Sequence, residues 1–230
     1  MADRPDEAQK VIQVQRKALA ANEARAQRLR RGFAERGTLV VNLISSPGSG
    51  KTTLLERTVA MLRDELRCGV LEGDVATERD ADRIRAQGVP AHQILTGGAC
   101  HLDARLVERG LAEASFPDLD ILFIENVGNL ICPTNYDLGE DFKVALLSVA
   151  EGDDKPFKYP AIFSRAEVTV ITKGDHIPHL AFDLDAVRDQ ITTLNPNGRF
   201  LVTSSTSGQG LDDWCGLLRA QLSAKRPHKG

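Results

Sequence analysis

Apolar and polar positions along this chain come in blocks. Two nearly unbroken apolar runs stand out, Leu39-Val40-Val41-Asn42-Leu43-Ile44 and Leu119-Asp120-Ile121-Leu122-Phe123-Ile124-Glu125. Weaker runs follow the same style at 68–74, 89–95, 143–149, 167–172 and 200–203. A strand that is apolar at almost every position must be covered on both faces, as the central strands of parallel sheets are. Between these runs lie helix-favouring stretches: from Leu54 onward, 77–87 closed by Gly88, 102–112, 183–194 and 211–223. Strands alternating with helices predict an α/β fold with a doubly wound, mainly parallel sheet. Ahead of the first strand, residues 8–33 lack proline, and carry Ile12, Leu19, Ala26 and Phe33 at seven-residue spacing. This predicts a helix with one thin apolar stripe and a basic surface from Arg16, Lys17, Arg25, Arg28, Arg30 and Arg31, packed on the domain rather than serving as a partner-docking arm. The expected organisation is a helical extension over 1–36, one domain over 37–224 and a frayed tail over 225–230.

The chemistry begins where the first strand ends. Ser45-Ser46-Pro47-Gly48-Ser49-Gly50-Lys51-Thr52-Thr53 joins that strand to a helix, the context of a phosphate-binding P-loop. Gly48 and Gly50 let backbone N–H groups, with that of Ser49, converge on phosphate oxygens at a helix N-terminus. Lys51 supplies a point charge for β- and γ-phosphates, the Thr52 hydroxyl a ligand for Mg²⁺, and Thr53 completes the site. Ser45 stands where the general pattern has its first glycine.

Composition narrows the setting. With 42% apolar and 27% charged residues and a net charge of −3, the chain has no general pull toward nucleic acid or anionic membranes. No apolar run nears the roughly 18–20 residues that cross a bilayer, and no apolar segment follows the N-terminus, so no secretory signal is expected. Four cysteines, Cys68, Cys100, Cys132 and Cys215, beside a P-loop fit a reducing, cytoplasmic compartment better than a disulfide framework.

A base-reading signal follows the strand that ends at Ile171. Thr172-Lys173-Gly174-Asp175 resembles the Asn-Lys-x-Asp motif of GTPases, with threonine in the first place and the tethering role of that asparagine thereby in doubt. The Asp175 carboxylate can accept from both N1–H and the exocyclic amine of guanine, a donor pair adenine lacks. The Lys173 stem would lie along the base, and the serine-rich loop with Ser204 and Ser205 would present backbone N–H groups to the guanine O6. These point to GTP and GDP over ATP. Asp74 and Glu125 each end a strand on the phosphate side and, with Lys51, are the candidate catalytic groups; Asp74 is also a candidate Mg²⁺ ligand. No arginine finger or positioning glutamine is assignable, so the expected intrinsic turnover is low.

A second constellation holds sulfur and imidazole. Cys100-His101 sits in a loop opened by Gly97-Gly98, and Cys132 follows the Glu125–Gly128 turn. Neighbours on a strand face opposite ways, so Cys100 and His101 can share a metal only from irregular backbone, which the glycines supply. Two thiolates and an imidazole suit Ni²⁺ or Zn²⁺, one ligand short of a closed tetrahedron. On spacing alone, cysteines as small buried hydrophobes are the simpler reading.

The strings Asn42-Leu43-Ile44-Ser45-Ser46-Pro47-Gly48-Ser49-Gly50-Lys51-Thr52-Thr53-Leu54, Glu72-Gly73-Asp74, Gly97-Gly98-Ala99-Cys100-His101-Leu102 and Glu125-Asn126-Val127-Gly128-Asn129-Leu130-Ile131-Cys132-Pro133 resemble the HypB family, the GTPases that assist nickel insertion into [NiFe]-hydrogenase. The resemblance runs from about Asn22 to Trp214, and the family shares the Ser-Ser-Pro-Gly loop. It implies a SIMIBI-like P-loop NTPase and a GTP-dependent homodimer. It further implies an interface Ni²⁺ or Zn²⁺ site from Cys100, His101 and Cys132, and hydrogenase maturation proteins and the hydrogenase large-subunit precursor as partners. Some members carry an N-terminal Cys-x-x-Cys-Gly-Cys motif or a His-rich stretch, but the first 40 residues here contain neither cysteine nor histidine. A urease-type nickel GTPase, a zinc-stabilised nucleotide-binding scaffold and a small-molecule kinase are the alternatives. Whether Lys155 or Lys158 reaches nucleotide across a dimer is open.

Overall fold

The computed structural model describes residues 4–74 and 79–226, although the side chains of Asp74 and of several residues in the first turns of the N-terminal helix lie outside that description. Seven strands form one sheet: β1 (Leu39–Ser45), β2 (Cys68–Asp74), β3 (Ala91–Leu95), β4 (Ile121–Glu125), β5 (Phe142–Ser148), β6 (Val168–Thr172) and β7 (Arg199–Val202). Their spatial order is β3-β2-β4-β1-β5-β6-β7, and every neighbouring pair is parallel. The helices are α1 (Arg4–Arg36), α2 (Lys51–Leu62), α3 (Arg79–Arg85), α4 (Ala104–Ala114), α5 (Lys155–Lys158), α6 (Pro160–Arg165), α7 (Leu184–Leu194) and α8 (Leu211–Lys225). This is the doubly wound parallel architecture that the block pattern predicts.

Strand periodicity sorts the core. Leu39, Val41 and Leu43 of β1 face α2 and α8 in a cluster with Leu54, Leu55, Trp214 and Leu218. Val40 of β1 faces the other way, toward Phe33 of α1 and Leu106 and Val107 of α4. Ile44, Ala145 and Leu147 on that second face meet Ile162, Phe163, Val187 and Ile191 of α6 and α7. The indole of Trp214 stays polar-satisfied by donating to the Thr58 hydroxyl at 2.9 Å.

The N-terminal helix behaves as two halves. Ala26 and Phe33 of its predicted stripe are buried, whereas Leu19 is 38% exposed. The C-terminal half is riveted to the domain. The Asn22 amide donates to the Asp137 carbonyl at 2.7 Å and accepts from Ala104 N at 2.8 Å. Arg30 forks onto Asp137 at 2.6 and 2.8 Å. Between β5 and β6 the sequence reading predicted no helix. Pro156 and Pro160 start two short ones there, too brief for apolar periodicity to register.

At the opposite end of the strands from the motif-bearing loops, Asp120, just before β4, ties three segments together. Its carboxylate accepts from the Arg67 backbone N–H at 2.7 Å, from the Arg67 guanidinium and from Arg226 Nη2 at 2.7 Å. Lys225 at the end of α8 is similarly paired with Asp141 at 2.6 Å. Residues 227–230 lie outside the description. Burial alone would raise the Asp120 pKa, but the hydrogen bonds from Arg67 and Arg226 outweigh it and hold the carboxyl well below the usual carboxylate range. A group depressed in the folded state stabilises fully above the unfolded-state pKa and loses that contribution as pH falls through the folded value. Asp120→Asn is therefore expected to cost about 2 kcal/mol at pH 7 in urea unfolding, with the gap to wild type closing as the pH is taken below about 4.

Candidate nucleotide and metal site

All the motif-bearing loops emerge from the C-terminal ends of the strands, where parallel α/β sheets hold ligands. Gly50, left-handed at φ 86°, is the N-cap of α2, so the first turn presents free N–H groups to the loop. Lys51 Nζ donates to the Ser45 hydroxyl at 2.9 Å. The serine that departs from the general pattern thus gives the buried ammonium a partner. Ser49 donates to Glu151 Oε2 at 2.5 Å, pinning the loop to the segment after β5.

Two contacts join the P-loop to the predicted base-reading loop. The Thr172 hydroxyl donates to the Ser49 carbonyl at 2.6 Å, and Lys173 Nζ donates to the Gly48 carbonyl at 3.0 Å. The doubt cast on Thr172 as a tether is thereby corrected, since a hydroxyl at this buried position spans the gap. Lys173 adopts φ 57°, an uncommon conformation for a lysine. Asp175 is held below its ordinary value chiefly by a hydrogen bond from Ser204. Ser204 is buried in the loop after β7, and Ser205 beside it is half-buried.

A cleft of about 590 Å³ opens over the P-loop, lined among others by Lys51, Thr52, Glu72, Arg83, Glu125 and Asn126. Its floor is acidic. Register places Glu72 of β2 directly beside Glu125 of β4, and both are buried. Burial, then the neighbouring Glu125 charge, pushes the Glu72 pKa up. Burial likewise raises Glu125, against the opposing charge of Lys51. Thr52 Oγ1 donates to Glu125 Oε1 at 2.9 Å, while Glu72 Oε1 and Glu125 Oε2 are buried with no N–H or hydroxyl donor among the described residues, leaving each carboxyl the other as its partner when one is protonated. Orphaned carboxylate oxygens beside a P-loop threonine fit a hard, oxygen-seeking cation such as Mg²⁺. Asp74 ends β2 as predicted, but its side chain lies outside the description. Sequence reasoning passed over Glu72, Asp80, Arg83 and Asn126 in this cleft. Arg83 reaches Glu56 at 2.5 Å, Asp80 at 3.1 Å and the Thr53 hydroxyl at 3.2 Å, linking α3 to the start of α2.

The candidate metal ligands converge. One donor atom from each of Cys100, His101 and Cys132 lies within 4.8 Å of the others. Gly97 and Gly98, both left-handed at φ 62° and 91°, bend the loop so that the adjacent Cys100 and His101 face one point. Cys132 opens a 3₁₀ turn over Cys132–Asn135, and Asn129 Oδ1 accepts from its N–H at 3.2 Å and from that of Ile131 at 2.8 Å. The His101 ring packs on Tyr136 at 4.0 Å between centroids. Burial lowers the His101 pKa, which keeps the imidazole in its ligating, neutral form at pH 7. Hydrogen bonding with Cys132, then burial, raises the Cys100 thiol. Two sulfurs and an imidazole at this separation fit a borderline-soft divalent ion with a coordination position left open. Cys68 and Cys215 are buried in the core, far from any such role.

Comparison with known proteins identifies the family. Residues 39–202 match the family model described as CobW/HypB/UreG, nucleotide-binding domain. The hydrogenase maturation factor HypB of Escherichia coli is 47% identical over 94% of this chain and 74% of its own length. The hydrogenase/urease maturation factor HypB of Helicobacter hepaticus is 43% identical over 92% of this chain and 88% of its own. The crystal structure of Helicobacter pylori HypB in complex with nickel superposes with a TM-score of 0.84 at 39% identity, covering 91% of this chain and all of that one. A P-loop nucleotide-binding domain with matches of this extent leaves no ambiguity of class: the chain belongs to the HypB family.

Proposed function

We propose that this protein is a GTP-hydrolysing nickel metallochaperone that assists nickel insertion into [NiFe]-hydrogenase, with its nucleotide state coupled to metal binding. One observation carries the reading. The segment that lines the nucleotide cleft at Glu125 and Asn126 runs within seven residues into Cys132, whose sulfur shares a point with Cys100 and His101. Nickel is the cargo, held by those three side chains. A zinc ion would satisfy the same donors. A second copy of the chain closes the open position, which makes the working form a homodimer in the cytoplasm, serving hydrogenase maturation proteins and the large-subunit precursor.

Guanine is selected by Asp175, preset by Ser204 to remain ionised and able to accept from two donors on the base, with the Lys173 stem along the ring. Backbone N–H groups of Gly48–Thr53 and the α2 N-terminus hold the phosphates, and Lys51 turns from Ser45 to the β- and γ-oxygens. Thr52, Glu125 and Glu72, with Asp74, would hold Mg²⁺, which when bound neutralises charge building between those phosphates. Asp74 and Glu125 orient the attacking water. No charge from a mobile arginine is on hand in the described cleft, where Arg83 is engaged by Glu56 and Asp80, so intrinsic turnover is slow. A shared role in urease maturation is favoured by one finding, the dual naming of the 43% identical Helicobacter hepaticus relative. Co-purification with hydrogenase or with urease accessory proteins separates the two.

Three measurements follow. Metal-free protein titrated with Ni²⁺, reading thiolate-to-nickel absorbance, is expected to show affinities that differ about five-fold or more between GDP and a non-hydrolysable GTP analogue. Cys132→Ala should abolish that difference; affinity indifferent to both nucleotide and mutation would sink the metal half of the reading. Asp175→Asn, which trades a two-fold acceptor for a group that repels one guanine donor, should weaken GTP by roughly 100-fold in a fluorescent-nucleotide titration. Thr172→Val leaves the Ser49 carbonyl unpaired, and should lower urea stability by about 1 kcal/mol while weakening GDP several-fold.

A further inference from the structure

The residue after Glu125 spans the interior between the nucleotide cleft and the metal loop. Asn126 is 1% exposed and lines the cleft. Its backbone N–H donates to the Leu43 carbonyl of β1 at 3.0 Å. Its side-chain Nδ2 donates to Asn42 Oδ1 at 3.3 Å, and Asn42, fully buried, donates onward to Glu140 Oε1 at 3.2 Å. Glu140, also buried, takes the Leu138 N–H at 2.6 Å and pairs with Lys143. On its other side, Asn126 Oδ1 accepts from the backbone N–H of Leu102 at 3.0 Å. Leu102 immediately follows the candidate ligand His101, and its side chain is fully buried.

A buried backbone N–H has a strong need for its acceptor, because losing it costs the group's full desolvation penalty. The metal loop must therefore follow Asn126 or break. Beyond Leu102 the chain is held independently: Asn22 of α1 takes the Ala104 N–H at 2.8 Å, and the Asp103 side chain caps α4 through Leu106 N at 2.7 Å. Before it, exposed Gly97 and Gly98 leave the entry compliant. Between a soft entry and a clamped exit, the segment free to respond to Asn126 is Cys100-His101.

We infer that Asn126 is a positioning residue that carries displacement of the β4 end into the Cys100-His101 loop, so that nucleotide in the cleft sets the placement of His101 relative to Cys132. This rests on the nucleotide–metal coupling proposed above, and deepens it to a named side chain. A packing role alone would hold the loop equally in every nucleotide state. The coupling role makes the hold state-dependent.

The test is amide hydrogen exchange by mass spectrometry on the full chain, following the peptide that spans 99–106, at saturating GDP and at saturating non-hydrolysable GTP analogue. The Ni²⁺ titration is run in parallel. In wild type, exchange of this peptide is expected to differ between the two nucleotides by about five-fold or more. In Asn126→Ala, exchange should become fast and equal in both. Should Asn126→Ala lack a cooperative melt, Asn42→Ala, which frees the Asn126 side-chain amide from Asn42 but leaves the backbone bond to Leu43 and the hold on Leu102, is expected to shrink the nucleotide difference. Equal exchange in wild type with both nucleotides overturns the inference, as does a nucleotide difference that persists in folded Asn126→Ala or is undiminished in Asn42→Ala. Nickel affinity that ignores nucleotide in wild type, beside an exchange difference lost in Asn126→Ala, would overturn the metal coupling and leave Asn126 as the link between cleft and loop.

Discussion

The pairing of β1 with β4 is the contact on which the rest depends. Leu43 lies opposite Glu125, so the P-loop leaving β1 and the turn leaving β4 start side by side. That turn then presses on the loop: a Cβ at Gly128 would stand 2.9 Å from Pro47 Cγ and 3.0 Å from its Cα and N. Only a residue without a side chain permits this approach, and the opposing atoms are partly backbone, which cannot step aside cheaply. Pro47 of the P-loop and the chain leading to Cys132 are thus in direct mechanical contact. A shift of one cannot leave the other untouched.

Burial of polar groups near that contact has a cost that stability alone does not explain. Two carboxyls side by side in the interior repel when both are ionised, and among the described residues each retains an oxygen that no N–H or hydroxyl donor reaches. The apolar strands around them, with Val70, Phe123 and Leu43 fully buried, supply the cohesion that tolerates this. Asn42, Glu140 and Lys143 are a different case, since their polar atoms are used within the fold and fasten β1 and β5 to the turn. Satisfied networks of this kind specify one arrangement of the core, whereas the carboxyl pair lines the cleft where the proposed Mg²⁺ would be held.

The sheet, its helices and the P-loop were legible because each is written locally. Double-faced burial produces apolar runs, and the loop needs its glycines and lysine in consecutive positions. What escaped was whatever depends on residues distant in sequence. Glu72 became a partner of Glu125 only through the register of β2 on β4, which no spacing encodes. Thr172 meets Ser49 across 123 positions. Asn126 reads as a turn residue until Leu102 and Asn42 are placed on either side of it. The metal donors were visible as residue types, but 31 positions separate His101 from Cys132. Resemblance, rather than spacing, joined them before the fold did.

Two routes leave the end of β4 and meet at the same point. One follows the main chain from Glu125 to Cys132, stiffened where Asn129 holds the N–H groups of Ile131 and Cys132. The other crosses through the Asn126 side chain to Leu102 and reaches His101 one residue earlier in the chain. Because the routes differ in length and stiffness, a common displacement at Glu125 arrives unequally at the two ligands. Under the proposed coupling, an ion bound between them would sense that inequality as a change in its own coordination geometry, since soft N/S sites discriminate metals and states largely by geometry. A pair of ligands carried on one rigid element would move together and transmit nothing. On the coupling proposed above, placing them on separate loops that both touch the end of β4 is what would make the affinity of the site adjustable from the cleft.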